Sequence, residues 1–175
     1  MSLSKFHIGL LIAAAVLVFD QAVKALFLYG LNWIASLDGP PVQPIEVTPF
    51  LNFVMVWNQG ISYGMLQATS DFHRWILVFF AIGVIGFLIW WLHGVRDLRL
   101  AQAVGLIIGG AVGNVIDRIL YGAVADLFHF HAFGYDWYVF NIADVAVVLG
   151  VTVMGLDLVL GEWRARTRGA KEDQT

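Results

Sequence analysis

The sequence contains no cysteine and few charged residues. The absence of cysteine excludes disulfides, a thiol nucleophile and thiolate metal ligands, and it leaves the redox compartment open. Only 13% of the 175 residues are charged, against about a quarter in soluble domains, whereas 59% are hydrophobic and the mean hydropathy is +0.77. The net charge of -3 is small, and no basic arm interleaved with aromatic residues suggests nucleic acid. The composition therefore predicts an integral membrane protein.

Proline is also scarce, and its four copies lie within one segment, residues 31–74. They are Pro40, Pro41, Pro44 and Pro49. Because proline fixes φ and removes a backbone donor, this segment is not expected to be helical. Residues 45–57 are β-branched and aromatic with partial alternation, which predicts short strands resting on the membrane surface.

Long apolar runs predict four transmembrane helices in a single domain of residues 1–175. They cover about residues 8–29, 75–92, 100–120 and 141–160. The polar, basic stretch from about residue 165 to 175 is predicted to be disordered. The expected fold class is a mainly α, polytopic membrane protein in which segments 31–74 and 121–140 form a small extracytoplasmic, β-rich cradle.

The distribution of basic residues predicts the orientation. Most of the ten lie on one side of the predicted spans: Lys5, Arg96, Arg99, Arg164, Arg166, Arg168 and Lys171. By the positive-inside rule both termini are then cytoplasmic, and segments 31–74 and 121–140 share the outer side.

Two aspartates, Asp126 and Asp144, stand where predicted membrane segments meet water. The sequence has no Gly-x-Ser-x-Gly elbow and no His-Glu-x-x-His motif, so serine and zinc mechanisms lack a nucleophile or a metal cage. Two neighbouring aspartates cannot easily both ionise, and the ionised one can activate water while the protonated one polarises a scissile carbonyl. Peptide hydrolysis by a carboxylate pair is the chemistry that this pattern favours.

The roles within the pair follow from the predicted start of the fourth helix. Asn141 is placed to cap that helix, and Asp144 would lie in its first turn, where the helix dipole favours a carboxylate. Asp126 has no comparable helix N-terminus, so Asp144 is predicted to hold the charge and Asp126 the proton. Arg118 would reverse this order if it reached either carboxylate.

The third predicted helix carries two further patterns. Gly105, Gly109 and Gly113 recur every fourth residue, the spacing that lets two membrane helices approach closely. Asp117 and Arg118 follow at the end of this helix and are predicted to form a helix-end ion pair.

Two sequence patterns leave alternatives open, and a third alternative concerns the class of protein. Asp20 and Lys24 are spaced i,i+4 within the first span, which predicts either a structural ion pair or a direct part in a site. His129 and His131 alternate in an apolar context typical of an interfacial strand, but with Asp126 they also suit a metal site. A transporter or channel subunit with a carboxylate relay is the alternative from another class; it predicts charges at mid-membrane depth on several helices, whereas here they gather on one side.

Five ordered motifs resemble the lipoprotein signal peptidase (signal peptidase II) family. They are Asp-Gln-Ala-Val-Lys at 20–24, Asn-Gln-Gly at 58–60, Gly-Gly-Ala-Val-Gly-Asn-Val-Ile-Asp-Arg at 109–118, Gly-Ala-Val-Ala-Asp at 122–126 and Phe-Asn-Ile-Ala-Asp at 140–144. The resemblance implies an aspartyl endopeptidase of the bacterial cytoplasmic membrane that removes the signal peptide of a prolipoprotein just before a diacylglyceryl-modified cysteine. It implies partners limited to prolipoprotein and membrane lipid, a monomer, an active site near the outer face, and no metal or cofactor.

The resemblance also implies which residues form the site. Asp126 and Asp144 would be the catalytic dyad. The supporting residues would be Asp20, Lys24, Asn58, Gly60, Asn114, Arg118 and Asn141.

Three positions depart from the family pattern: Ser62, Tyr63 and Leu127. We expect these changes to affect the shape of the pocket, and hence substrate preference, rather than the reaction. Aromatic residues of the two outer segments, among them Trp57 and Trp137, are expected to clamp the lipidated end of the substrate.

Overall fold

The computed structural model describes residues 3–60 and 71–172, so Ser62 and Tyr63 lie outside the described residues. The elements are, in order, α1 (Lys5–Ala25), a π-helix (Leu26–Gly30), a 3-10 helix (Trp33–Leu37), β1 (Ile45–Thr48), β2 (Leu51–Asn58), α2 (Asp71–Leu92), α3 (Leu98–Tyr121), β3 (Val124–Ala132), β4 (Tyr135–Phe140) and α4 (Ile142–Glu172). A mainly helical membrane protein with a small antiparallel sheet is therefore confirmed.

The four helices correspond to the four predicted spans. Lys5–Gly30, α2 and α3 are long and apolar enough to cross a membrane, with mean hydropathies of 2.0, 2.5 and 1.6. The structure contradicts the predicted disordered tail as far as Glu172, because α4 continues well past the predicted end of its span at about residue 160. The stretch 161–172 contains no proline and is rich in Ala, Arg, Lys and Glu, which favour helix.

Helix α3 lies at the centre of the bundle and packs against α1, α2 and α4. Its predicted small-residue face is confirmed, because a side chain at Gly105 would collide with the main-chain oxygen of Gly9 in α1. A side chain at Gly110 would likewise collide with the main-chain oxygen of Ala143 in α4. Glycine at these positions brings all three backbones into contact.

The sheet stands at one end of the bundle, where α1 and α3 end and α4 begins. Its order is β1-β2-β3-β4, with every neighbouring pair antiparallel. Strands β1 and β2 confirm the prediction for residues 45–57, and the 3-10 helix, which was not expected, precedes the first proline. Helix α3 ends at Gly122, whose φ of 80° lets the chain turn directly into β3.

A cluster of apolar side chains fastens the sheet to the π-helix. Its buried members are Phe27, Leu28, Trp33, Met55, Ala125 and Leu127. Leu127 is therefore part of the core next to Asp126, and the expectation that it shapes the pocket directly is wrong. A change at this position acts through the packing of β3.

Candidate active site

Asp126 is delivered by β3 and is almost completely buried, with 1% of its surface exposed. Its Oδ1 accepts a hydrogen bond of 2.7 Å from Asn141 Nδ2, and its Oδ2 accepts one of 2.9 Å from Asn58 Nδ2. The register of β2 on β3 pairs Asn58 with Val124, which places its amide two residues from Asp126 along the sheet. Each carboxylate oxygen therefore has a fixed amide donor.

Asp144 is delivered by the first turn of α4. Its main-chain N donates to Asn141 Oδ1 at 2.9 Å, and its Oδ2 accepts from Asn141 N at 3.3 Å. These reciprocal bonds form a capping box, so the predicted cap at Asn141 is confirmed. Asp144 Oδ1 also accepts a bond of 2.9 Å from Asn114 Nδ2 of α3.

Asn141 connects the two aspartates. Its Nδ2 donates to Asp126 Oδ1, while its Oδ1 and main-chain N hold Asp144. The same Nδ2 lies 3.2 Å from Asn114 Oδ1. One buried side chain thus links the sheet, α3 and α4 at the point where the carboxylates meet.

Burial raises the pKa of Asp126 from its ordinary value of 3.8 to about 7. The low-dielectric surroundings disfavour the charged form, and the negative charge of Asp144 adds to this. The hydrogen bonds from Asn58 and Asn141 and the positive charge of Lys24 act in the opposite direction. Near neutral pH, Asp126 is therefore poised between its acid and its base form.

The positive charge of Arg118 interacts with the carboxylates of both Asp126 and Asp144. Two main-chain oxygens hold its guanidinium group in place. It donates to Gly60 O at 3.0 Å and to Asn114 O at 3.4 Å. Gly60 N in turn donates to Asn58 Oδ1 at 3.0 Å, which turns the Asn58 amide toward Asp126.

The predicted ion pair between Asp117 and Arg118 is wrong, because Asp117 pairs with Lys24 at 2.7 Å. Adjacent residues on a helix point about 100° apart, so Asp117 faces α1 while Arg118 faces the turn after β2. The ion pair of Asp20 and Lys24 is confirmed at 2.8 Å. Lys24 also reaches Asn114 Oδ1 at 3.5 Å, so this pair is in contact with the site.

The two histidines of β3 do not support a metal site with Asp126. His129 Nε2 lies 3.4 Å from the exposed Asp136, and the ring centroids of His129 and His131 are 5.4 Å apart. Across residues 3–60 and 71–172, no three or more His, Asp or Glu side chains come together as metal ligands. Both histidines lie on a strand, as their alternation indicated.

Two cavities flank the carboxylates. A cavity of about 410 Å³ is lined by Asn58, Gly60 and Asp126 on one side. A second, of about 480 Å³, opens between Asp144 and the apolar residues Phe140, Val145, Val147, Val148 and Leu149. Trp137 and Tyr138 of β4 line both cavities.

Sequence reasoning missed Gln21, whose Nε2 donates to Asp20 at 3.2 Å and to Asp117 at 3.0 Å. The sequence signal for Gln21 was its position between Asp20 and Lys24 in an apolar helix, where a polar side chain needs a polar partner. The residues expected to converge, Asn58, Asn114, Arg118, Asp126, Asn141 and Asp144, are brought together by the fold.

Comparison with known proteins agrees with this arrangement. The family profile described as Signal peptidase (SPase) II matches residues 12–160. A lipoprotein signal peptidase of Methylobacterium sp. (strain 4-46) is 45% identical over 157 residues, which cover 90% of this chain and 92% of that protein. One from Methylocella silvestris is 43% identical over 164 residues, or 93% of this chain and 91% of that protein.

Solved structures show the same fold. One bacterial membrane enzyme superposes with a TM-score of 0.70 at 30% identity, over 87% of this chain and 88% of that one. A second superposes with a TM-score of 0.67 at 31% identity, over 87% and 92%. The chain therefore belongs to the signal peptidase II family and is a membrane-embedded peptidase.

Proposed function

We propose that this peptidase is an aspartyl endopeptidase that removes signal peptides from diacylglyceryl-modified prolipoproteins, cutting immediately before the lipidated cysteine. Asp126 and Asp144 are the catalytic dyad. The observation that carries the assignment is the bridge formed by Asn141, which contacts both carboxylates from one buried position. The name shared by the curated relatives, lipoprotein signal peptidase, supports the substrate class.

Asp144 acts as the general base and Asp126 as the general acid. Asp144 takes a proton from water, and the water oxygen attacks the scissile carbonyl carbon while Asp126 gives its proton to the carbonyl oxygen. The resulting diol collapses with cleavage of the C–N bond: Asp144 gives its proton to the leaving amine, and Asp126 takes a proton from a diol hydroxyl, which restores both carboxyl groups. The raised pKa of Asp126, about 7, supports its role as the protonated member.

The neighbouring polar groups orient this pair. Asn58 and Asn141 hold the oxygens of Asp126, and Asn114 holds Asp144. Arg118, anchored on Gly60 O, supplies positive charge without occupying either carboxylate with a direct bond. Water and substrate retain access to both acids through the flanking cavities.

The apolar cavity beside Asp144 suits the lipidated part of the substrate. Val148 and Leu149 on its rim are exposed on the outer surface of α4, so acyl chains reach Asp144 from the lipid side. The polar cavity beside Asp126 suits the extended peptide. Trp137 lines both cavities and so forms a wall that they share. We place the site near the outer face of the bacterial cytoplasmic membrane, both termini in the cytoplasm, and the active unit as a monomer.

Cleavage of a synthetic diacylglyceryl-modified prolipoprotein by the purified protein in detergent tests this function. We expect Asp126→Asn and Asp144→Asn each to lower kcat by at least about 100-fold, because the amide replaces neither acid nor base. Asp71→Asn, at an exposed aspartate of α2, is the matched control. A dyad variant that keeps more than about one-tenth of wild-type kcat removes that residue from the dyad.

Two further measurements separate the alternatives. Chelator is expected to leave kcat unchanged, and loss of activity with EDTA that zinc restores would favour a metal site at His129 and His131. Ion flux through lipid vesicles that contain the protein, without any peptide, would favour the transporter alternative.

A further inference from the structure

A second pair of carboxylates lies beneath the site, and the reaction described above does not use it. Asp20 and Asp117 are both completely buried. Asp117 Oδ2 accepts a hydrogen bond of 3.2 Å from the main-chain N of Ala125, and Asp20 Oδ1 accepts one of 2.9 Å from the main-chain N of Ala143. Each alanine directly precedes one of the two dyad aspartates in the sequence.

Lys24 and Gln21 join these two carboxylates. Lys24 Nζ lies 2.8 Å from Asp20 Oδ2, 2.7 Å from Asp117 Oδ2 and 3.5 Å from Asn114 Oδ1. An ammonium group has three N–H donors, so these three acceptors use all of them. The Gln21 amide forms a second connection between the same two carboxylates.

A purely structural role does not explain this arrangement well. Removing two carboxylates and an ammonium from water has a large desolvation cost, and apolar packing of similar volume often stabilises a protein as much. Here each carboxylate meets a main-chain N–H at a particular place. The N–H of Ala143 is one of the unpaired donors of the first turn of α4, and that of Ala125 lies one residue before Asp126 on β3.

We propose that Asp20 and Asp117 are paired positioning residues that fix the separation of Asp126 and Asp144, with Lys24 as their rigid connection. The inference rests on the proposed dyad. Each carboxylate holds the backbone one residue before a reacting side chain, so a shift of either is passed directly to that side chain. Displacement of a reacting group by about 1 Å costs roughly 100-fold in rate.

The packing of α3 is consistent with this role. A side chain at Gly113 would place its Cβ 2.6 Å from Asp20 Oδ2. Glycine is therefore required at position 113, because the Asp20 carboxylate packs against α3 there while it accepts the hydrogen bond from Ala143 N. Gln21 Nε2 also lies 3.4 Å from Gly113 O, so α3 packs closely at this point against the side chains that join Asp20 to Asp117.

The test compares Asp117→Asn with Asp117→Leu. Asparagine keeps an acceptor oxygen for the Ala125 N–H, and leucine removes it at similar size. Both variants remove the same charge, and in both Lys24 stays paired with Asp20, so their difference reports the loss of the acceptor oxygen that the Ala125 N–H shares with Lys24. We expect Asp117→Asn to keep kcat within about tenfold of wild type and Asp117→Leu to lose about 100-fold, with KM unchanged in both.

The pH profile of kcat distinguishes positioning from a loss of folded protein. A smaller folded fraction lowers the whole profile, whereas a changed distance between the aspartates moves its limbs. The charged groups that face Asp126 are Lys24 of α1, Arg118 of α3 and Asp144 of α4, and both substitutions leave them in place. We expect the limb above neutral pH to move in Asp117→Leu relative to Asp117→Asn.

Equal kcat and equal pH profiles in the two Asp117 variants would overturn the proposal, whether both are active or both are inactive. If Asp117→Leu does not fold, Gly113→Ala decides, because it displaces the Asp20 carboxylate without removing a polar group. We expect it to lower kcat and to move the same limb, and wild-type kinetics would contradict the proposal. Failure of the dyad itself is recognised separately by activity in Asp126→Asn or Asp144→Asn.

Discussion

Helices α2 and α3 are of similar length and adjacent in sequence. The relation between their hydropathy and their burial is the reverse of that in a soluble protein. The more apolar helix, α2, has a mean hydropathy of 2.5 and only three buried residues, whereas α3 has 1.6 and eleven. In water the apolar helix would form the core. Here the apolar surface faces lipid, and the interior is built from small and polar residues.

The side chains of the two helices explain the difference. Those of α2 are large and point outward, as with Phe79, Phe80 and Trp90, which are strongly exposed. Those of α3 are small where it meets α1 and α4, and polar where it reaches the sheet. Hydropathy therefore reports contact with lipid, and the distribution of glycine and polar residues reports the location of the site.

The largest contrast is expected between a buried and an exposed ion pair. Lys24→Met leaves Asp20 and Asp117 without their common cation beside α3, and we expect it to lower the free energy of unfolding by about 3–5 kcal/mol. Asp71→Asn removes the exposed carboxylate that pairs with Arg74 in α2, and it is expected to have no measurable effect. Denaturation of both variants in the same detergent measures the difference, and equal stability would remove the contrast.

The same substitution is expected to act in opposite directions on the two helices. Gly105→Ala forces a methyl group against Gly9 O and should destabilise the protein by about 1–3 kcal/mol. Gly86→Ala meets no atom within 4 Å, and it should stabilise α2 by about 0.5–1 kcal/mol. Thermal unfolding of the two variants gives the sign, and a shift in the same direction in both would contradict the account of α3 as the packing helix.

The pH dependence is expected to come from the site beside α3. The folded state raises the pKa of Asp126 from 3.8 to about 7, so it favours the protonated form. The corresponding stability is present below the unfolded pKa and is lost as the pH rises through about 7. Because Asp126 is proposed as the acid, kcat should fall about tenfold between pH 6 and pH 8.

A kcat profile and a series of unfolding temperatures over this range test the pH dependence. Phe80→Ala in α2 is the control and should show the wild-type profile. A flat kcat from pH 6 to pH 9 would exclude Asp126 as the acid.

The smallest effect is expected on the lipid-facing side of α2. Phe80 is 70% exposed, so Phe80→Ala should change the free energy of unfolding by no more than about 0.5 kcal/mol. Val104 of α3 is fully buried, and Val104→Ala should destabilise more. A larger loss in Phe80→Ala than in Val104→Ala would mean that Phe80 packs in the core rather than facing lipid.

Much of this arrangement could be predicted from the sequence because its signals are local. Apolar length predicted the four helices, spacing predicted the glycine contacts of α3, and the Asn141 cap predicted the first turn of α4. The burial of Asp117 could not be predicted in this way. Its partner, Lys24, lies far away in the sequence, and only the packing of α1 on α3 brings the two together.

The length of α4 and the place of Leu127 were also not predictable. Basic residues after residue 160 resemble a solvated tail, yet their helix propensity allows the helix to continue. The side of β3 on which Leu127 packs depends on the register with β2, which no single strand determines.

The bridge formed by Asn141 has a consequence for biogenesis. Asn141, Ala143 and Asp144 follow Asp126 and its partners Asn58 and Lys24 in the sequence, so they are synthesised later. A chain that stops before α4 has neither the second aspartate of the proposed dyad nor the Asn141 amide that holds the first. With the proposed dyad, proteolytic activity therefore requires that α4 has been made and has packed against α3.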